Sequence, residues 1–141
     1  MSKILFIPVY NCNIQVKRLI NKIKKKELDQ KSEILFIDNQ SSDQTLETLL
    51  KETKNIKKKI TIILNDNNYG LGGSHKVALN YAKNNKYNDL IVFHGDDQGN
   101  LEDLDKLISV DTQRKYDFIL GSRFMKGSIL HNYSFIRISG N

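Results

Sequence analysis

Three observations on this 141-residue chain predict an α/β fold: three layers, α/β/α, around a doubly wound, mainly parallel sheet. Short apolar runs rich in β-branched residues recur at near-regular spacing, segments of helical period separate them, and polar clusters follow their ends. Strands that read as continuous apolar runs suit a sheet covered on both faces.

The elements follow in order. Residues 4–9 read as the first strand, and Val16, Leu19, Ile20 and Ile23 then fall at helical spacing. Residues 33–37 form the second strand; Ser41 and Gln44 make a capping-box pattern ahead of a helix carrying Leu46, Leu49 and Leu50. Residues 60–64 form the third strand, and Val77, Ala78, Tyr81 and Ala82 mark the third helix. Residues 90–93 read as a buried fourth strand, after which Asn100 is placed to cap a helix with Leu101, Leu104, Leu107 and Ile108 as its stripe. A fifth strand is expected over residues 116–120, and no clear period runs from 124 to 141.

Length suits one domain over residues 1–141. The formal charge of +6 comes mostly from lysine clusters at 24–26 and 57–59, which read as solvated surface. They also suit an anionic partner such as a nucleotide diphosphate or a membrane face; a nucleic-acid partner is not expected, since no basic-aromatic recognition motif is present. Cys12 is the only cysteine, which excludes an intramolecular disulfide and a thiolate zinc cluster and fits a reducing, cytoplasmic setting. The N-terminus does not resemble a secretory signal, and no run is long enough to cross a bilayer.

The chemistry-bearing residues cluster behind the strands, where open α/β sheets bind ligands. Behind the first, Pro8 ends sheet pairing and Tyr10 and Asn11 turn over the edge. Behind the second, Asp38 can accept from a base or ribose, whereas Ser41, Ser42 and Asp43 read mainly as a helix start. The loop 65–74 holds Asn68, Gly70 and Gly72, whose glycines permit positive φ and close approach of a ligand to backbone N–H groups. It matches neither a P-loop nor a dinucleotide fingerprint. The strongest cluster, His94, Gly95, Asp96, Asp97 and Gln98, puts carboxylate and amide oxygens where they suit a hard cation, Mg2+ or Mn2+, bridging a diphosphate. Gly121, Ser122 and Arg123 end the fifth run, and arginine's planar fork suits phosphate oxygens.

Taken in this order, the five segments resemble the N-terminal part of a family 2 glycosyltransferase of the GT-A fold, near the dolichyl- or polyprenyl-phosphate mannose synthase-like branch. Pro8, Tyr10 and Asn11 match the family's first motif, and Asp38, Ser41, Asp43 and Thr45 its aspartate-aspartate-glycine-serine segment. Asn68, Gly70 and Gly72 match its asparagine-x-glycine-x-glycine loop, while His94, Asp96 and Gln98 align with its metal-binding aspartate-x-aspartate-x-glutamine motif. The resemblance implies metal-dependent, inverting transfer of a sugar from a UDP- or GDP-linked donor to a polyprenyl phosphate or glycan, as in cell-envelope polysaccharide synthesis. It places Pro8, Tyr10, Asn11, Asp38, Asn39, Asn68, Gly70, Gly72, His94 and Gly95 around the nucleotide. It gives the metal to Asp96, Gln98 and His94, a catalytic role to Asp96 and Arg123, and donor or acceptor phosphate to Arg123 and Arg137. A setting at the inner face of the membrane, with peripheral contact, goes with a lipid phosphate acceptor.

Three positions depart from the family pattern: Cys12 stands for a glutamate, Asn39 for the second aspartate and His94 for the first metal-motif aspartate. The chain also stops soon after the arginine motif, as a fragment lacking the acceptor-binding part would. A non-catalytic nucleotide-sugar-binding module is the competing reading. A phosphoacceptor receiver domain shares the sheet but would need an aspartate directly behind the third strand and a lysine behind the fifth, where this chain has Asn65-Asp66 and Gly121-Ser122-Arg123.

Overall fold

The computed structural model describes residues 2–26, 32–104 and 116–121. The chain divides into two units, residues 1–109 and 110–141. The first contains β1 (Lys3–Val9), α1 (Asn13–Lys25), β2 (Ser32–Asp38), α2 (Thr45–Glu52), β3 (Ile60–Leu64), α3 (Gly70–Asn84) and β4 (Asp89–Val92). The four strands form one sheet in the order β3-β2-β1-β4, parallel at every pairing.

Side-chain alternation sorts the core into two layers. Leu5, Ile7 and Val9 of β1 and Ile34 and Phe36 of β2 face α1 and α2, where Val16, Leu19, Ile20, Ile23 and Leu49 cover them. Ile4, Phe6, Leu35 and Ile37 face the other way, against Ala78 and Ala82 of α3. The four apolar positions of α1 named from sequence are all buried.

Some expectations are corrected. Pro8 does not end pairing: β1 continues to Val9, and the Asn39 N–H donates to the Val9 carbonyl at 3.0 Å. The proline is tolerated because its missing N–H falls on the side of β4, whose regular pairing has already stopped. Nor is β4 buried: among the described residues it pairs only with β1, and Val92 stays 37% exposed. The capping box at Ser41 and Gln44 is not formed: α2 starts at Thr45, and Asp43 Oδ1 accepts from the Thr45 N–H at 2.9 Å. Residues 116–121, in the second unit, form no strand, and Phe118 and Leu120 are exposed. An apolar run becomes a strand only where a neighbour completes its hydrogen-bond ladder.

The fourth helix is present as a turn over residues 101–104: Asn100 Oδ1 accepts from the Glu102 N–H at 3.0 Å, and Leu101 and Leu104 join the core. Leu107 and Ile108 lie outside the described residues. At the opposite edge from the loops named above, Glu33 near the start of β2 is buried. It receives Lys59 Nζ at 2.6 Å, Thr61 Oγ1 at 2.6 Å and Tyr81 Oη at 2.8 Å, with Tyr87 Oη as a further donor.

Candidate active site

Four loops meet at the C-terminal edge of the sheet and enclose a cleft of about 350 Å³ lined by Pro8, Val9, Tyr10, Cys12, Asn39, Asn68, Gly70, Leu71, Ser74, His94, Gly95 and Asp96. Parallel strands make this convergence unavoidable, because each hands its chain to a crossover at the same edge.

The first two loops are stitched together. The backbone N–H groups of Asn11, Cys12 and Asn13 donate to Ser41 Oγ at 2.9 Å, Thr45 Oγ1 at 2.9 Å and Asp43 Oδ2 at 3.2 Å, and the Ser42 N–H returns a bond to Asn11 Oδ1 at 2.8 Å. Donors at the start of α1 are thus satisfied by side chains at the start of α2. Burial raises the Asp43 carboxyl, but hydrogen bonds from Thr45 and from backbone N–H groups outweigh it and hold the group below its ordinary value. Burial pushes the Cys12 thiol up, so the residue standing for the family's glutamate is a neutral wall of the cleft.

Asp38 is wholly buried beneath this edge. Its Oδ1 accepts from the Ser41 N–H at 2.9 Å and Ser41 Oγ at 2.6 Å, while Oδ2 is buried with no hydrogen-bond partner among the described residues. A buried carboxylate oxygen left unpaired is costly. Asn39, not Asp38, faces the cleft, and it organises the third loop. Asn39 Oδ1 accepts from Asn65 Nδ2 at 2.9 Å and the Tyr69 N–H at 3.0 Å, and Asn39 Nδ2 donates to Asn68 Oδ1 at 2.6 Å. Asn68 Oδ1 also accepts from the Gly70 N–H at 3.0 Å, which fixes its amide orientation and keeps the NH2 group as a donor at the cleft. Gly70, at φ 67, makes the left-handed entry to α3, whereas Gly72 lies inside the helix's first turn and does not line the cleft.

The fourth loop divides its acids. His94, Gly95 and Asp96 line the cleft; Asp97 turns to α1 and pairs with Arg18 and Lys22. Asp96 Oδ1 accepts from the Gln98 N–H at 3.2 Å. Gly95 is pinned to the end of β1, its N–H donating to the Pro8 carbonyl at 3.2 Å. A Cβ there would lie 2.6 Å from Val9 Cγ1 and 2.8 Å from the Pro8 carbonyl oxygen. Gly95→Ala is therefore expected to cost about 1–3 kcal/mol, by overpacking against backbone, and to displace His94 and Asp96. Urea unfolding checks the first effect and nucleotide titration the second.

Of the residues named from sequence, the structure brings Pro8, Tyr10, Asn39, Asn68, Gly70, His94, Gly95 and Asp96 into one cleft. Asn11, Asp38, Gly72 and Gln98 sit behind or beside it, and Arg123 and Arg137 lie outside the described residues. The cleft adds Val9, Cys12, Leu71 and Ser74. Cys12 was marked in sequence only as a departure from the family pattern, and Ser74 could have been found from its place in the first helical turn behind the glycines; nothing local marks Val9 and Leu71.

Among the described residues no three His, Cys, Asp or Glu side chains gather into a metal cage. One carboxylate beside an imidazole nevertheless fits a hard cation that takes its other ligands from a diphosphate and water, as Mg2+ commonly does.

The sheet order and the cleft define the class, a GT-A-type nucleotide-diphospho-sugar transferase fold. Residues 4–138 match the family described as Glycosyl transferase family 2, and the chain belongs to it. A curated relative from Methanococcus voltae, a UDP-N-acetylglucosamine–dolichyl-phosphate N-acetylglucosaminyltransferase, is 25% identical over 149 residues, covering 97% of this chain. The chain spans 58% of that relative's length. Among solved structures, S. aureus TarS 1-349 superposes with a TM-score of 0.60 at 24% identity, over 77% of this chain and 32% of that one. The mannosyltransferase PcManGT of Pyrobaculum calidifontis, in complex with GDP-Man and Mn2+, superposes with a TM-score of 0.58 at 16% identity, over 67% of this chain and 27% of that one.

Proposed function

We propose that residues 1–141 form one donor-binding domain that binds a nucleotide diphosphate sugar, with Mg2+ or Mn2+, and transfers the sugar with inversion to a polyprenyl phosphate or a glycan. The observation that carries this reading is the convergence of Tyr10, Asn39, Asn68, His94 and Asp96 from four loops on one cleft. The family match over residues 4–138 and the dolichyl-phosphate acceptor in the curated relative's name support it. The GDP-Man in one solved neighbour's complex and the UDP-N-acetylglucosamine in the curated relative's name favour a GDP- or UDP-linked donor.

Tyr10, half exposed at the rim, offers a ring face to the base, and the Asn68 NH2 offers a donor to a base or ribose oxygen. Asp38, with its unpartnered Oδ2, backs the base end of the site from below. Asp96, with His94 beside it, would hold the cation at the diphosphate; when bound, the cation supplies charge neutralisation as the leaving group departs. Gln98 steadies Asp96 through its backbone N–H. Arg123 and Arg137 are proposed to hold phosphate oxygens. A phosphate acceptor is already anionic, so positioning matters more than a strong general base. The lysine-rich surface suits work at the cytoplasmic face of a membrane, in building envelope polysaccharide.

Titration calorimetry of UDP, GDP and their sugar conjugates into the chain tests this. One nucleotide is expected to bind with Mn2+ and about tenfold more weakly in EDTA, or 1.4 kcal/mol. Absence of binding by every nucleotide would overturn the donor-site reading, and binding without transfer to any polyprenyl phosphate or glycan would favour a non-catalytic module.

A further inference from the structure

We infer that Asp97 is a positioning residue: its ion pairs to Arg18 and Lys22 tie the fourth loop to α1 and so aim Asp96 into the cleft. The inference rests on the donor-site reading above and goes beyond it, because Asp97 neither lines the cleft nor belongs to the proposed cation set.

Asp97 adopts φ 60, a left-handed conformation that strains a residue other than glycine. Something must hold it there. Its carboxylate is only 7% exposed and takes Lys22 Nζ on Oδ1 at 2.7 Å and Arg18 Nε on Oδ2 at 3.2 Å, so each oxygen is engaged by a different cation one helical turn apart on α1. Charge-assisted bonds to a largely buried carboxylate are stronger than exposed surface pairs. The left-handed turn lies directly after Asp96, whose own Oδ1 is held by the Gln98 N–H on the far side of that turn. The preceding anchor is equally firm, since Gly95 is bonded to Pro8 and packed on Val9. Asp96 is therefore suspended between an anchor on β1 and an anchor on α1.

The ion pairs also set the local charge. Arg18 and Lys22 offset Asp97, so Asp96 alone meets an incoming diphosphate. Two uncompensated carboxylates side by side would repel that anion more strongly. Groups that orient a ligand-bearing carboxylate commonly alter metal affinity by about tenfold or more when lost.

Two variants separate anchor from backbone. Asp97→Asn keeps a residue that tolerates the left-handed turn and removes the charge on which the anchor rests; Arg18→Ala/Lys22→Ala removes the partners and leaves the loop's sequence intact. Both are expected to weaken Mn2+-dependent UDP or GDP binding about tenfold, to leave binding in EDTA unchanged, and to speed amide exchange at Gly95 and Gln98. Wild-type exchange and affinity in both variants would overturn the inference, as would an equal loss with and without Mn2+, which marks general destabilisation. If wild-type protein binds no nucleotide, the donor-site reading falls by itself, and exchange at Gly95 and Gln98 still decides the role of Asp97: unchanged protection overturns it.

Discussion

Replacing Asp96 by alanine is expected to lower sugar transfer by about 10³-fold and to abolish the metal dependence of nucleotide binding, while unfolding stability changes by less than about 0.5 kcal/mol. The size follows from the cleft's composition. Among the described residues Asp96 is the one carboxylate lining the cleft, Asp97 being turned away to Arg18 and Lys22, and His94 adds an imidazole without negative charge. A diphosphate leaving group gains charge as its bond to the sugar breaks, and the residue that holds the compensating cation acts most strongly on that step. Asp96→Asn should retain part of the binding, because an amide oxygen still ligates, but little of the rate. The check is initial-rate assay of sugar transfer by the protein together with calorimetry in Mn2+ and in EDTA. Wild-type turnover in Asp96→Ala would remove Asp96 from the mechanism.

The largest effect on stability is expected at the other end of the sheet, from Glu33→Ala. Burial alone raises this carboxyl, but hydrogen bonds from Lys59, Thr61, Tyr87 and Tyr81 outweigh it and bring the pKa to about 2, from an ordinary 4.5. The shift corresponds to about 3 kcal/mol, and the variant is expected to lose a similar amount, since the hydroxyls around Glu33 lose their shared acceptor. Because the folded-state value is depressed, this contribution is fully present above pH 4.5 and is lost as pH falls toward 2. The gap in urea midpoint between wild type and Glu33→Ala should therefore be widest at pH 7 and close progressively below pH 4.5. A gap that stays constant down to pH 2 would show that packing, not the ionised carboxylate, is responsible. Lys59 is raised by the same ion pair, so its shift is counted within this figure.

The helix α1 shows what was legible in sequence. Val16, Leu19, Ile20 and Ile23 repeat at the period of an amphipathic helix and are buried. The first three strands were legible because uninterrupted β-branched runs have few other stable arrangements, and β3 falls on residues 60–64 as expected. The cleft was legible for a related reason: a parallel sheet brings every strand's C-terminal loop to one edge, so local clusters at 8–10, 38–39, 68–70 and 94–96 meet whatever their sequence separation. The role of Asp97 was not legible. Three acid and amide side chains in a row look alike in sequence, and only the φ 60 turn and the approach of Arg18 and Lys22, 79 and 75 residues away, turn Asp97 toward α1 while Asp96 faces the cleft. Glu33 read as the polar start of an apolar run, since its partners Thr61, Tyr81 and Tyr87 come from distant segments.

By itself, then, the sequence determined the α/β class, the alternation of elements, the family and most of the residues around the cleft, all properties carried by local period and motif. Tertiary structure alone decided that Pro8 stays within the sheet, that Ser41 ties two loops together instead of capping α2, that Asn39 and not Asp38 faces the cleft, and which acid of the fourth loop is presented. Each of these outcomes depends on which donor or acceptor a neighbouring segment supplies. Pairing across long sequence separations is a property of the folded chain, and no local pattern encodes it.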